Sequence, residues 1–147
     1  MMIHTISIQI RISDLDSFGH VNNGAQSHLC DYARTNYFEA ALLSQIDWTN
    51  FDLVLVNVTL DFKQQIRLHD SIICKTEVYE IGSRSLKMRQ HLVDVETDTI
   101  KTICHSTLVA IDRERNCSKE IPENYKRSIS AYEKGYSSAA FESICCT

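Results

Sequence analysis

Ile6, Ile8, Ile10 and Ile12 alternate with more polar neighbours, the period-two signature of a half-buried strand. The run Asp14-Leu15-Asp16-Ser17-Phe18-Gly19-His20-Val21-Asn22-Asn23 then reads as a loop leading to a helix cap. From about Gly24 to Ser44 the period changes. Ala25, Leu29, Tyr32, Ala33, Tyr37, Ala40, Ala41 and Ser44 fall on one helical stripe, and Asn23 is the expected N-cap. Gln26 stands where a capping box would send a side chain back to the cap amide. After Trp48 the period returns to two: Val54, Val56, Val58, Leu60 and Phe62 face one way, and Asn57, Thr59 and Asp61 the other. Ile72 to Glu80, Ser85 to Val95 and Thr99 to Ile111 are further strands, separated by turns at Ile81-Gly82-Ser83 and Glu96-Thr97-Asp98. Pro122 suits the first position of a short helix ending near Tyr132, and residues after Gly135 read as a loose end.

Strands joined by short turns pair antiparallel, because a parallel pair needs a long crossover. The expected architecture is therefore α+β. An antiparallel sheet of about five strands wraps one long amphipathic helix, in a single domain over 1–133 with a tail over 134–147. The sheet edges are left for a second copy to pair or cover.

Composition narrows the function. In 147 residues, 15 Lys and Arg face 19 Asp and Glu, a net charge of -4. A nucleic-acid partner and a membrane surface both call for a basic face that this balance does not offer, so neither is expected. The six cysteines form no Cys-x-x-Cys pair, no charged leader with an apolar core opens the chain, and no apolar run reaches membrane-spanning length. A cytoplasmic location with reduced thiols is expected.

Polar residues concentrate just before the long helix. Helix N-termini carry unsatisfied N–H groups and a partial positive charge, so the amides around Asn23 and Gly24 suit a developing oxyanion beside the Asp16 carboxylate. Gly19 allows a sharp turn or a close backbone approach. Those features together suit attack on a carbonyl. His20, His28 and Asp16 do not form a known metal-ligand spacing, so no metal is expected.

Asp14-x-Asp16-x-x-Gly19-His20-Val21-Asn22-Asn23, followed by Asp31-x-Ala33-Arg34 and Tyr37-Phe38, resembles the 4-hydroxybenzoyl-CoA thioesterase family of hotdog-fold enzymes, in its Gly-His-Val-Asn-Asn branch. Asp61-Phe62, Asp70, Ile81-Gly82-Ser83-Arg84-Ser85 and Ile121-Pro122 continue the resemblance in order, over roughly residues 5 to 130. It implies a hotdog fold in a homodimer or homotetramer with sites at the subunit interface. It also implies that Asp16 is the catalytic carboxylate and the Asn23 backbone amide the oxyanion donor. His20 has a supporting role, and Gly19, Asn22 and Gly24 lie against the substrate. Arg84 and Ser85 are implied in coenzyme A binding. The chain departs from the pattern at Gln26, where an aromatic is common, and at Asp31, where Glu is common.

The implied reaction is hydrolysis of an acyl-CoA or acyl-carrier-protein thioester. No cofactor is needed beyond the coenzyme A of the substrate. A thiolate leaves readily, so the enzyme supplies an attacking oxygen and an oxyanion donor, with Asp16 as base or nucleophile. A non-hydrolytic hotdog protein that binds acyl-CoA as sensor or scaffold is the competing reading. A hotdog hydratase or dehydratase is a third, and the loop matches it less well. No Gly-x-Ser-x-Gly elbow is present, which excludes an α/β-hydrolase.

Overall fold

The computed structural model describes residues 2 and 4–135. The C-terminal segment 136–147, with Cys145 and Cys146, lies outside the described residues. Strand β1 (His4–Ile8) is followed by the long helix α1 (Asn23–Leu42) and then by β2 (Leu53–Phe62), β3 (Ile72–Ile81), β4 (Ser85–Asp94) and β5 (Thr99–Asp112). A two-residue strand β6 (Cys117–Ser118) and helix α2 (Glu123–Glu133) complete the described chain. All pairings are antiparallel, in the order β1-β3-β4-β5-β2, with β6 on the end of β5. The α+β arrangement expected from the sequence is the one observed, with β1 and β2 as the sheet's two edges.

Helix α1 packs along the inner sheet face and divides the core in two. Towards its C-terminus, Tyr37, Phe38 and Leu42 meet Val78, Leu86, Met88 and Leu108, with Tyr125 and Ile129 of α2 closing the end. Towards its N-terminus, Val21, Leu29, Cys30 and Ala33 meet Ile66, Ile72, Cys74, Leu92 and Cys104. Each fully buried aliphatic side chain contributes roughly 1.5–3 kcal/mol against the exposed state. No helix of the described residues is long and apolar enough to cross a membrane.

Three local expectations are corrected. Strand β1 stops at Ile8, and Ile12 sits 76% exposed in a single 3-10 turn. The N-cap of α1 is Asn22 rather than Asn23, because its side chain takes the Gly24 amide at 2.7 Å; no capping box forms with Gln26. The buried helix face is Gln26, Leu29, Cys30, Ala33, Arg34, Tyr37, Phe38, Ala41 and Leu42, while Tyr32 stays 60% exposed. Polar side chains at positions 26 and 34 hide this face from a hydrophobicity count. They are tolerated inside because Arg34 Nη2 donates to Gln90 Oε1 at 3.2 Å and Thr102 donates to Gln26.

Strand β2 also departs from a clean alternation. A register shift between Leu55 and Asn57 breaks its period, and Val56, Val58 and Phe62 are left exposed on this edge strand.

Candidate active site

The loop between β1 and α1 is tied down by its own backbone. The Asn22 amide donates to the Asp14 carbonyl at 2.8 Å, the Asp16 amide to the His20 carbonyl at 2.8 Å, and the Gly19 amide to the Asp16 carbonyl at 3.1 Å. Gly19 has φ of +79°, the left-handed region that L side chains rarely adopt, so the tight return needs glycine there. The Val21 amide reaches out to the Ile66 carbonyl at 2.7 Å, and His20 pairs with Arg67, fixing the loop to the chain after β2.

The two aspartates of the Asp-x-Asp pair do different work. Asp14 is buried, and its Oδ2 takes the Arg11 amide at 2.9 Å, so it holds the turn before the loop. Asp16 is half-buried. Its Oδ1 accepts from the Phe18 amide at 2.9 Å and the His20 amide at 3.2 Å. Its Oδ2 has no protein partner among the described residues, which leaves that oxygen available to chemistry.

Asp16, His20 and Asn23 line one cleft of about 300 Å³, with Val21 and Gln26 on its floor. The facing wall is the chain leaving β2, Phe62 to Gln65. That wall is held because the Lys63 and Gln64 amides share the Lys101 carbonyl, at 2.8 and 3.0 Å. Of the first-turn amides, Gly24 is taken by the Asn22 side chain, and Gln26 donates to the Asn22 carbonyl at 3.0 Å. The Asn23 amide has no protein partner among the described residues, so an acceptor in the cleft can take it. Asp16 and Asn23 therefore line the same space, one with a carboxylate oxygen and the other with a helix amide that no protein group takes among the described residues. That pairing offers an attacking or proton-accepting group next to a donor for an oxyanion.

The structure brings Asp16, Gly19, His20, Asn22, Asn23 and Gly24 into one loop-and-helix corner. Arg84 and Ser85 are not there. Ser85 pairs with Val109 near one end of β5, whereas Gln26 touches Thr102 near the other, a separation of about 23 Å along an extended strand. Arg84 Nη1 instead binds Ser118, at 3.0 Å to the carbonyl and 3.1 Å to the hydroxyl. Within one chain these two residues belong to a different surface.

The sequence points to Gln26 through its departure from the family's aromatic, which bears on acyl-pocket shape, and does not single out Phe62, Lys63, Gln64 or Gln65 as lining the site. For Gln26 a signal exists, since it sits one turn before Leu29, Cys30 and Ala33 on the same helical face. For Gln64 and Gln65 there is none, because a polar pair after a strand reads as any loop. Among the described residues, no three His, Cys, Asp or Glu side chains come together as a metal ion requires.

Residues 10–129 match the family model of the thioesterase-like superfamily. No curated protein sequence matches the chain. Among solved structures, a thioesterase from Thermus thermophilus complexed with coenzyme A and Zn superposes with a TM-score of 0.79 at 22% identity, covering 90% of this chain and 95% of that one. A hypothetical protein from Staphylococcus aureus in complex with CoA gives 0.81 at 16% identity, covering 89% and 84%. A 1,4-dihydroxy-2-naphthoyl-CoA thioesterase from Synechocystis gives 0.78 at 18%, covering 86% and 95%. At these identities the likeness shows a shared fold, the hotdog.

Proposed function

Because the chain belongs to the thioesterase-like superfamily, we propose that it hydrolyses an acyl thioester of coenzyme A, or of an acyl carrier protein, to the free acid and the thiol. The observation that carries this reading is one cleft lined both by Asp16, whose Oδ2 has no protein partner among the described residues, and by Asn23 at the start of α1. The substrate carbonyl oxygen accepts from the Asn23 amide, and the helix N-terminus favours the negative charge that grows there. Asp16 supplies the attacking oxygen, either from a water it deprotonates or as its own carboxylate oxygen, which gives an anhydride that water then opens. The C–S bond breaks as the tetrahedral intermediate collapses, and the departing thiolate takes up a proton. His20 supports the loop through its amide and lines the cleft; Gly19, Asn22 and Gly24 do not line it in the single chain and act by shaping the loop and capping the helix behind it. The Gly19-His20-Val21-Asn22-Asn23 run supports placing the chain in the 4-hydroxybenzoyl-CoA thioesterase branch. No metal and no separate cofactor takes part.

A homodimer completes this site, alone or within a homotetramer. Leu55, Val56 and Val58 lie exposed on an edge strand with free backbone groups, the kind of edge that a second copy covers. Two β2 strands pairing antiparallel across a two-fold axis put the Leu53 end of one beside the Phe62 end of the other. Arg84 and Ser85 share the end of the sheet where Leu53 pairs with Ala110. The partner's Arg84 and the partner's Ser85 then approach the Asp16 cleft from across the axis, where a guanidinium suits coenzyme A phosphates. The dimer accounts for a coenzyme-binding pair that a single chain holds remote from its own cleft.

The test is thiol release from a panel of acyl-CoAs of varied length and polarity, with an acyl-carrier-protein thioester included. Turnover of at least one member at enzymatic rates is expected. Tight binding across the panel with no turnover would show an acyl-CoA sensor instead.

A further inference from the structure

Gln26 is the most buried polar side chain at the cleft, 2% exposed, and neither the loop chemistry nor the helix cap uses it. Its orientation is fixed by its neighbours. Gln26 Nε2 lies 3.5 Å from the Val21 carbonyl oxygen, which can only accept, so the amide nitrogen faces that side. Its Oε1 therefore faces Thr102, whose hydroxyl donates to it. Thr102 is itself fully buried on the inner face of β5. An amide nitrogen carries two protons, and the Val21 contact, at the long limit of a hydrogen bond, engages at most one. The other has no protein partner among the described residues.

Depth in the cleft decides what that proton meets. Asp16 is half-buried and Asn23 exposed, so they mark the mouth, while Val21 at 3% and Gln26 at 2% exposure form the floor. A thioester whose carbonyl sits between Asp16 and the Asn23 amide sends its acyl group inward, onto Gln26. A plain hydrocarbon end there would strand a buried amide proton, whereas an oxygen acceptor would satisfy it. Gln26 stands three residues after Asn23 in α1, about 4.5 Å along the helix, so it meets the first few acyl atoms beyond the carbonyl.

We propose that Gln26 is the specificity-determining residue of the site and selects acyl groups bearing an oxygen acceptor within the first few atoms beyond the carbonyl, such as 3-oxo- or 3-hydroxyacyl thioesters, over their hydrocarbon counterparts. This rests on the thioesterase reading above. Losing one donor to a substrate oxygen in a dry site changes discrimination by about tenfold or more.

The experiment compares kcat/KM for acetoacetyl-CoA and 3-hydroxybutanoyl-CoA against butanoyl-CoA, in the wild type and three variants. Wild type is expected to favour each oxygenated ester by about tenfold or more. Gln26→Leu should bring both ratios to within about twofold of one, an effect on selectivity that a purely structural role does not produce. Gln26→Glu keeps a carboxyl oxygen for the Thr102 hydroxyl but turns an acceptor towards the cleft, so the preference for acetoacetyl-CoA should invert while 3-hydroxybutanoyl-CoA, whose hydroxyl can donate to that acceptor, stays favoured. Thr102→Val releases the amide and should give an intermediate ratio. If Gln26→Leu does not fold, the other two variants carry the same readout. Ratios near one in the wild type, or an unchanged acetoacetyl-CoA ratio in folded variants, overturn the inference while turnover of any ester leaves the thioesterase reading standing. Turnover of other panel members but of none of these three also overturns the inference alone. No thiol release from any thioester overturns both.

Discussion

Asp16 and His20 hold each other in both directions: the His20 amide donates to Asp16 Oδ1 at 3.2 Å, and the Asp16 amide donates to the His20 carbonyl at 2.8 Å. The loop closes around one carboxylate oxygen and leaves the other without a protein partner among the described residues. Asn at position 16 retains a carbonyl oxygen able to accept from the Phe18 and His20 amides, so the loop has no reason to open. Asp16→Asn is therefore expected to lower kcat by about a thousandfold or more, as loss of a general base or nucleophile does, with Tm and oligomeric state nearly unchanged. Wild-type-like turnover in a thiol-release assay would exclude the carboxylate from the reaction.

The same loop shows what the sequence made legible and what it did not. Asp16, Gly19 and the start of α1 could be named because loop formers, a glycine and a cap residue lie consecutively, and local chemistry decides local geometry. The strands of the central sheet were legible for the same reason, since β3, β4 and β5 alternate over long runs with short turns. Position 26 is legible as helix and, through the resemblance, as a pocket position, but its burial against Thr102 is not, because that partner is far away in sequence and a polar residue reads as surface. The helical stripe was misplaced by the same cause: Arg34 enters the core only because Gln90 on β4 receives it. Arg84 is the reverse case. The resemblance assigns it to coenzyme A, and within a single chain it lies at the end of the sheet away from Asp16.

The edge strand supplies a test of assembly separate from chemistry. Val58 is 41% exposed on β2, and a carboxylate there faces its own copy across the proposed two-fold axis. Val58→Asp is expected to shift sedimentation from dimer to monomer. It should also lower thioester turnover by about tenfold or more, since coenzyme-binding groups from the partner are lost with it. A monomeric variant with full activity would show that one chain holds the whole site.

Gln90 sits at the centre of the polar network under the sheet. It is fully buried, and its Nε2 donates to the Cys30 carbonyl at 2.9 Å and to Thr76 Oγ1 at 3.2 Å while Oε1 receives Arg34. Gln90→Leu fills the same volume but leaves one arm of Arg34 and the Thr76 hydroxyl without that partner in the core, while the Cys30 carbonyl keeps its bond within α1. Stranded buried polar groups cost about 1–3 kcal/mol each, so a loss of about 2–4 kcal/mol in unfolding free energy is expected from urea titration. A change under about 0.5 kcal/mol would mean that water replaces the lost partners.

At the far end of the molecule, His4 on β1 meets α2. His4 Nδ1 lies 2.6 Å from the Tyr132 hydroxyl, and its buried Nε2 has no partner among the described residues. Burial pushes the His4 pKa below its ordinary 6.5, partly opposed by the Asn36 side chain. Beside it, Tyr37 and the Val78 amide both donate to Glu133 Oε1, and burial raises the Glu133 pKa above its ordinary 4.5 despite those bonds. Glu77 also faces Glu133 and pushes the same way, and burial and the Glu133 charge raise the Tyr37 and Tyr132 hydroxyls. The two titrating groups have opposite signs. As pH falls, the unfolded chain protonates its histidine before the folded one does. The stability that neutral His4 contributes above pH 6.5 is therefore lost as pH drops through its folded pKa. Glu133 takes up its proton first in the folded chain. Its contribution is complete below pH 4.5 and is lost as pH rises through its raised pKa, so on acidification it offsets part of the histidine loss. Melting curves recorded between about pH 7.5 and 4.5, spanning the ordinary histidine and carboxylate values, separate the two. The wild-type Tm should fall with acidification, His4→Gln should fall less, and Glu133→Gln should fall more steeply than wild type. Parallel profiles for wild type and His4→Gln would show that the docking of α2 does not depend on a neutral histidine.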